Sequence, residues 1–174
     1  TFFNLLIFFL TPTYSMGFLI VEKIKLSQAN IIKRYSHDPS AFTQGLVYQN
    51  EHFFESTRGW GTSKIKKINK NTGKVTNFKK LLPKYFGEGI TIYDNKIFQV
   101  TWKSKKGFVY DINNFELLDE FKIYGQGWGL ANDGKSLILS DGSEKIYFLN
   151  PKNFEVEKTI TVSLNGNKQM LINE

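Results

Sequence analysis

Short apolar segments alternate with polar turns along most of the chain, and this alternation repeats at a fixed period. A glycine followed by an aliphatic residue opens three successive units at Gly45, Gly89 and Gly129, which lie 44 and 40 residues apart. Each unit continues through about four short apolar segments, without convincing helical periodicity. Four strands in each repeat of roughly 40 residues indicate the blades of a β-propeller.

The predicted strands occupy equivalent places in the three units. A turn signal follows each opening glycine, and a second, a third and a fourth strand come after it in the same order. The turn signals are Gln49-Asn50-Glu51, Asp94-Asn95-Lys96 and Asn132-Asp133-Gly134. The second strands are predicted over residues 53–57, 97–101 and 137–141, the third over 65–68, 108–111 and 146–150, and the fourth over 75–78, 115–121 and 154–162.

Three units are too few for a closed ring, because propellers need about four to eight blades. The sequence adds one further strand candidate over residues 31–35. We therefore expect an all-β fold in which residues 30–174 form a partial propeller of about three blades plus this N-terminal strand. An incomplete ring leaves strand edges open to aggregation. For this reason the sequence is interpreted as a fragment.

The first 29 residues differ in character from the repeat. Residues 1–21 carry no charge, and residues 2–10 form an almost unbroken apolar run with the length of a signal-peptide hydrophobic region. This run is too short to span a bilayer alone. We predict that residues 1–29 are a signal-like segment and that the protein is exported, either secreted or periplasmic. An uncleaved membrane anchor and upstream sequence that is not natural coding sequence are the competing interpretations.

Composition and charge narrow the classes of function. Hydrophobic residues make up 41%, charged residues 22% and aromatic residues 16%, which suits a globular, sheet-rich protein. The net charge of +7 fits either an anionic partner or solvated lysines. Because no nucleic-acid recognition motif is present, we expect no nucleic-acid partner. The absence of cysteine excludes disulfides and thiolate chemistry. The two histidines belong to no group with metal-site spacing, so no metal and no cofactor are expected.

A small polar motif precedes each repeat and supplies the candidate chemistry. The three motifs are Phe42-Thr43-Gln44-Gly45, Phe86-Gly87-Glu88-Gly89 and Gly125-Gln126-Gly127-Trp128-Gly129. Equivalent residues of successive blades ring the central channel at one end, so Gln44, Glu88 and Trp128 (or Gln126) should converge there. In partly apolar surroundings desolvation would raise the pKa of Glu88 and make it a proton shuttle. A solvated turn glutamate is the alternative interpretation.

The three tryptophans fall at strand ends or in loops. Trp60, Trp102 and Trp128 therefore fit two interpretations. They either cap the core, which is the simpler explanation, or form an aromatic wall for a ligand such as a cationic amine.

Several of these motifs together resemble one known family. The segment from His37 to Leu46 closely resembles the opening motif of the plant and bacterial glutaminyl cyclases. Four further segments resemble that family in order and spacing, from about Ile32 to the end of the chain: Phe86-Gly87-Glu88-Gly89-Ile90-Thr91, Thr101-Trp102-Lys103, Gly127-Trp128-Gly129-Leu130 and Ser140-Asp141-Gly142-Ser143. The resemblance implies a five-bladed propeller that cyclises the N-terminal glutamine of peptides or proteins to pyroglutamate and releases ammonia.

The resemblance also implies roles for individual residues. The acid/base glutamate of the family falls on Glu88, its polar glutamine on Gln44, and its aromatic pocket on Phe42, Phe86, Trp102 and Trp128. The final Leu171-Ile172-Asn173-Glu174 is similar to the start of the family's Asn-Glu-Leu-Glu motif. Asn173 would then bind the substrate amide and stabilise charge on its oxygen.

The chain also departs from the family pattern. The family's glycine-tyrosine loop reads Arg58-Gly59-Trp60-Gly61 here, and Gln126 replaces a common glutamate. The family's later tryptophan and lysine lie beyond residue 174, so we expect no activity from this chain alone. No stable membrane association is expected beyond the N-terminal segment. The first alternative function is a non-catalytic propeller that serves as an interaction scaffold, and the second is a basic adhesion or nucleic-acid-binding module.

Overall fold

The computed structural model describes residues 28 and 30–173. The chain divides into two units, Thr1–Arg34 and Tyr35–Glu174. The predicted signal-like or anchor segment, residues 1–29, lies outside the described residues except for Gln28. Among the residues that are described, no helix has the length and apolar character needed to cross a membrane.

Three four-stranded antiparallel sheets and one small hairpin make up the second unit. Blade 1 contains β1 (Thr43–Gln49), β2 (His52–Thr57), β3 (Lys64–Asn69) and β4 (Val75–Lys80). Blade 2 contains β5 (Gly87–Tyr93), β6 (Lys96–Thr101), β7 (Lys106–Asp111) and β8 (Leu117–Lys122). Blade 3 contains β9 (Leu130–Asn132), β10 (Leu137–Ser140), β11 (Lys145–Leu149) and β12 (Val156–Thr161), and the hairpin contains β13 (Ser163–Leu164) and β14 (Asn167–Lys168).

The predicted all-β repeat is confirmed, and the second, third and fourth strands of every blade end within two residues of their predicted bounds. The N-terminal strand predicted over residues 31–35 is wrong, because these residues form no strand and no described strand pairs with them. A strand requires a neighbour to receive its backbone hydrogen bonds. The hairpin of β13 and β14 was not predicted.

The fourth strands of blades 2 and 3 begin two residues later than predicted. The sequence predicts Phe115 and Phe154 in these strands. In the structure both residues lie in the preceding turn with a left-handed backbone conformation, each with φ of 62°. Gly73 occupies the equivalent position in blade 1 with φ of 69°. In each turn this residue donates its backbone N–H to the carbonyl four residues earlier, at 2.8–3.0 Å. Burial offsets the strain for the two phenylalanines, since Phe115 is 2% exposed and Phe154 stacks on Phe121 at 4.3 Å.

The first hairpins of blades 1 and 2 turn through two consecutive residues with positive φ. Asn50 and Glu51 have φ of 48° and 64°, and Asp94 and Asn95 have φ of 49° and 55°. Paired positive φ values are the requirement of a type I′ turn, whose twist matches that of the strands it joins. Asn and Asp adopt this conformation at low cost, which explains why the turn signals at these places predicted the hairpins correctly.

Blade 2 is buried on both faces because its neighbours cover it. Successive residues of β6 point to opposite faces: Ile97 packs in the cluster shared with blade 1, and Phe98 packs in the cluster shared with blade 3. Gln99 is fully buried on the side of blade 1, where its Nε2 donates to Ser56 Oγ at 2.7 Å. This two-sided burial holds the inner strands of the three blades next to one another.

A buried charged cluster stabilises the opposite face of blade 1. Glu55 is 1% exposed and lies beside Lys66, its cross-strand partner, at 3.3 Å. The carboxylate of Glu55 also accepts hydrogen bonds from His37 Nε2 at 2.7 Å and from Thr43 Oγ1 at 2.5 Å. Burial raises the pKa of Glu55, but these hydrogen bonds and the charge of Lys66 outweigh it, so the pKa lies below its ordinary value of 4.5.

Replacing this carboxylate should destabilise the fold in a pH-dependent way. Because the folded pKa of Glu55 is lowered, its ionised form contributes stability above its ordinary pKa, and that contribution is lost as the pH falls through the folded value. Glu55→Gln leaves Lys66 buried beside a neutral amide, so we expect a loss of about 2–4 kcal/mol at about pH 7. Urea unfolding gives the free energy of unfolding of both proteins at about pH 7 and about pH 3.5. The difference between wild type and Glu55→Gln should be smaller at the lower pH.

The exposed glutamate Glu116 offers a matched control, since Glu116→Gln makes the same chemical change on the surface. That variant should stay within about 0.5 kcal/mol of the wild type at both pH values. A penalty for Glu55→Gln that does not change with pH would contradict the assigned role of its charge.

Candidate functional site

A cavity of about 400 Å³ opens where the first strands of the three blades begin. All seven residues that the sequence singled out for the site line this cavity, and Arg58 is the eighth: Phe42, Gln44, Arg58, Phe86, Glu88, Trp102, Trp128 and Asn173. The residues come from all three blades and from the segment after β14. Their shared position makes the cavity the candidate site, whereas their roles stay predictions.

Two β-bulges place the polar residues of the site. In β1 the pairing register shifts between Thr43 and Gly45, so Gln44 has no partner on β2. In β5 the register shifts between Gly87 and Ile90, so Glu88 falls in the bulge of its own blade. A bulge bends its strand and re-aims the side chain of the extra residue. Equivalent bulges in neighbouring blades therefore bring Gln44 and Glu88 together.

Glu88 is the buried acid of the cavity. Its residue is 5% exposed, and its Oε2 accepts a hydrogen bond from Gln44 Nε2 on the neighbouring blade. The next residue, Gly89, donates its backbone N–H to the carbonyl of Trp128 at 2.8 Å and so ties the bulge to blade 3. The alternative of a solvated turn glutamate is wrong, because Glu88 lies in a strand and is shielded from water.

Glycine is required beside this acid for a steric reason. A Cβ atom on Gly87 would lie 2.9 Å from Gln99 Nε2 and 3.0 Å from the carbonyl oxygen of Thr57. The backbone N–H of Gly87 also donates to Ser63 Oγ at 2.9 Å in a buried position. The bulge that presents Glu88 therefore rests directly on blade 1.

Aromatic side chains wall the cavity. The ring centroids of Phe86 and Trp102 are 5.4 Å apart, and those of Phe86 and Trp60 are separated by the same distance. Trp102 and Trp128 line the cavity, whereas Trp60 is 54% exposed and supports the wall from outside. Trp102 and Trp128 therefore face the cavity, which fits the interpretation of an aromatic wall. None of the three tryptophans belongs to the buried core.

Gln126 joins the two cavity-lining tryptophans. Its side-chain carbonyl accepts one hydrogen bond from Trp102 Nε1 at 2.6 Å and another from Trp128 Nε1 at 3.0 Å. Gln126 itself does not line the cavity. Of the two residues that were expected to converge on the centre, Trp128 therefore reaches it and Gln126 orients the walls.

Two glycines fix Trp128 further. A Cβ atom on Gly142, whose φ is +80°, would lie 2.6–2.9 Å from the indole ring of Trp128. A Cβ atom on Gly127 would lie 2.7 Å from Val100 Cβ. The indole of Trp128 thus packs against the backbone of Gly142 and donates a hydrogen bond to Gln126. It cannot turn away from the cavity without breaking both contacts.

Asn173 reaches the cavity from the last described segment. It is exposed and also lines a second cavity of about 320 Å³ that lies between the inner strands of the blades. The backbone N–H of Leu171 donates to the carbonyl of Gly142 at 2.8 Å, which ties this segment to the loop beneath Trp128.

Sequence reasoning missed Arg58 as a site residue. In the sequence Arg58 stands out only as a departure from the family pattern, although its place directly after a strand and beside a glycine is a usable signal. Among residues 28 and 30–173, no three His, Asp or Glu side chains gather as they would around a metal ion. The expectation that the site uses no metal and no cofactor stays a prediction.

Comparisons with known proteins agree with the architecture. The model of the family described as glutamine cyclotransferase matches residues 5–174. A glutaminyl-peptide cyclotransferase from Arabidopsis thaliana is 40% identical over 152 residues, which are 86% of this chain and 48% of the relative. The crystal structure of Myxococcus xanthus glutaminyl cyclase matches with a TM-score of 0.75 and 30% identity, over 83% of this chain and 61% of that one.

A more distant structure supports the fold alone. The WD40 domain of Neurospora crassa Pan2 is 13% identical and matches with a TM-score of 0.58, over 68% of this chain and 36% of that one. WD40 domains are β-propellers. The chain spans about half the length of the curated relative that it matches. Because the family model matches almost all of its residues, this chain belongs to the glutamine cyclotransferase family.

Proposed function

We propose that the full-length protein that contains this chain is a glutaminyl-peptide cyclotransferase. It converts the N-terminal glutamine of peptide or protein substrates to pyroglutamate. The observation that carries the proposal is the buried carboxylate of Glu88, which is hydrogen-bonded by Gln44 in a cavity walled by tryptophans. The names of the Arabidopsis and Myxococcus relatives support the same reaction.

The reaction requires the transfer of one proton between two nitrogen atoms of the substrate. The α-amino nitrogen of the substrate attacks the carbonyl carbon of its own side-chain amide, and a five-membered ring forms. The bond from that carbon to the amide nitrogen then breaks, and ammonia leaves. One proton passes from the attacking amine to the departing nitrogen, so the overall reaction neither consumes nor releases a proton at the enzyme.

Glu88 is suited to carry that proton. As a carboxylate it accepts the proton from the attacking amine, and as a carboxylic acid it donates the proton to the departing nitrogen. The hydrogen bond from Gln44 Nε2 and the bulge in β5 orient the carboxyl group of Glu88 in the cavity. We therefore assign the proton transfer to this carboxyl group.

The other residues of the cavity orient the substrate. The indole faces of Trp102 and Trp128 pack against the aliphatic part of the glutamine side chain and attract its amino group. The side-chain amide of Asn173 donates a hydrogen bond to the amide oxygen as negative charge develops on it. Holding both ends of one side chain favours ring closure, because the reacting atoms no longer have to find each other.

We also propose that the protein is exported, with residues 1–29 as its signal-like segment and the apolar residues 2–10 as the hydrophobic region of that segment. Fractionation of cells that express the full-length protein should recover it outside the cytoplasm. Deleting residues 1–29 should retain it in the cytoplasm. Cytoplasmic recovery of the intact protein would contradict this proposal without affecting the proposed reaction.

Removing the proton shuttle should abolish most turnover. Glu88→Gln keeps an oxygen that accepts the hydrogen bond from Gln44 but cannot take a proton, so kcat for cyclisation of a glutaminyl peptide should fall by about 10²–10⁴-fold. Ammonia release measures the rate, and circular dichroism checks that the variant is folded. The exposed Glu116→Gln should retain full activity. A non-catalytic scaffold has no turnover to lose, and unchanged turnover in Glu88→Gln would remove Glu88 from the mechanism.

The hydrogen bonds of Gln126 give a second prediction about the tryptophan walls. Gln126→Leu leaves two indole N–H groups without their acceptor, so kcat/KM should fall by about 5–100-fold. Gln126→Glu supplies a charged acceptor at the same position and should restore most of the loss. If Gln126 positions the tryptophans by accepting their hydrogen bonds, the two variants must differ in kcat/KM. Equal activity of Gln126→Leu and Gln126→Glu would show that the shared acceptor does not matter.

A further inference from the structure

Arg58 is a cation fixed at the rim of the candidate site. It directly follows β2, and its backbone N–H donates to the carbonyl of Phe42 at 3.0 Å. Its guanidinium carbon lies 3.4 Å from the centre of the Phe42 ring. Both side chains are exposed, and both line the cavity that contains Glu88. The stacked pair therefore forms the solvent-facing part of the same cavity.

In the described part of the fold, the guanidinium of Arg58 contacts the Phe42 ring but forms no ion pair. Six ion pairs occur among residues 28 and 30–173, and none of them includes Arg58. Stacking on Phe42 occupies the face of the guanidinium, but its N–H groups point outward from its edge. Such an edge recognises a carboxylate through two parallel hydrogen bonds. Because the stack already restricts the side chain, little further entropy is lost on binding.

The depth of the cavity determines what reaches Arg58. The N-terminal glutamine must bring its amine to Glu88, which is 5% exposed, whereas Phe42 at the rim is 53% exposed. The substrate chain must then leave toward solvent across the rim. The residue that follows the cyclising glutamine is the first one outside the buried part of the cavity, and its side chain comes within range of Arg58.

We propose that Arg58 selects substrates in which an Asp or Glu follows the N-terminal glutamine. This inference rests on the proposed cyclotransferase function, because that function places the glutamine at Glu88. Arg58 acts here as a specificity-determining residue that binds the carboxylate of the second substrate residue, and it takes no part in the proton transfer.

Three peptides that differ only at their second residue test the proposal. Gln-Glu, Gln-Gln and Gln-Lys peptides of otherwise identical sequence are compared by kcat/KM with the full-length protein. The Gln-Glu peptide should exceed the Gln-Gln peptide by about five- to tenfold at low salt. The preference should shrink at about 0.5 M salt, because the contact is exposed to solvent. Equal values for the Gln-Glu and Gln-Gln peptides would overturn the inference.

Variants assign the preference to one side chain. In Arg58→Gln the ratio of the two kcat/KM values should fall close to one, and Arg58→Lys should give an intermediate ratio because lysine lacks the planar fork. Lys122→Gln removes the same unit of charge at an exposed position outside the cavity. That control should keep the wild-type ratio. A preference that persists in Arg58→Gln, or that disappears in Lys122→Gln, would contradict a local role for Arg58.

Binding separates this inference from the proposed function. Dissociation constants of the Gln-Glu and Gln-Gln peptides are measured from tryptophan fluorescence in wild type and Arg58→Gln. Tighter binding of the acidic peptide that depends on Arg58, without any turnover, would uphold the inference and refute the cyclotransferase function. Turnover of both peptides without a preference for the acidic one would uphold the cyclotransferase function and refute the inference about Arg58. Absence of binding by both peptides would overturn the two together.

Discussion

The hydrogen bond from Gln44 to Glu88 joins the inner strands of two blades, and the candidate site depends on it. Both residues sit in β-bulges at the start of their strands, so the regular pairing of each sheet is broken at the same level. The bulge at Glu88 is possible only because Gly87 lacks a Cβ atom where it meets blade 1. The amide of Gln44, which comes from a neighbouring sheet, offsets part of the cost of burying this carboxylate.

The tryptophan walls of the site are also held by contacts between different blades. Trp102 belongs to blade 2 and Trp128 to the loop before blade 3, yet one carbonyl oxygen on Gln126 accepts from both indoles. The backbone of Gly142 packs against the indole of Trp128. The resemblance to glutaminyl cyclases implies a glutamate in place of Gln126, and the property that the two side chains share is an acceptor oxygen. The cavity therefore keeps its shape because residues of different blades restrain one another.

The sequence predicted the blades because each one repeats the same local rules. Turns with Asn or Asp at positions of positive φ and alternating apolar residues are local signals, and the structure follows them at Asn50 and Asp94. Phe115 and Phe154 depart from these rules, because burial of Phe115 and stacking of the half-buried Phe154 on Phe121 outweigh the strain of a left-handed backbone. No local signal could predict that outcome, since it depends on packing against a neighbouring blade.

The same distinction holds within the site. Equivalent motifs before each repeat were enough to group Gln44, Glu88 and Trp128, because symmetry of the ring brings equivalent residues together. The contact of Arg58 with Phe42 in blade 1 corresponds to that of Trp102 with Phe86 in blade 2, but the repeat does not reveal that Arg58 stacks on the ring or that Gln126 accepts from two indoles. The bond from Trp102 to Gln126 joins side chains 24 residues apart, which meet only in the folded protein.

The most direct test of the account is a crystal structure of the full-length protein with a bound pyroglutamyl peptide, the product of the proposed reaction. The ring nitrogen of this product is the former α-amine. It should lie within about 3.2 Å of the Glu88 carboxylate, with the ring between Trp102 and Trp128. A ring bound elsewhere, with Glu88 contacting no atom of the product, would contradict the central role assigned to this acid.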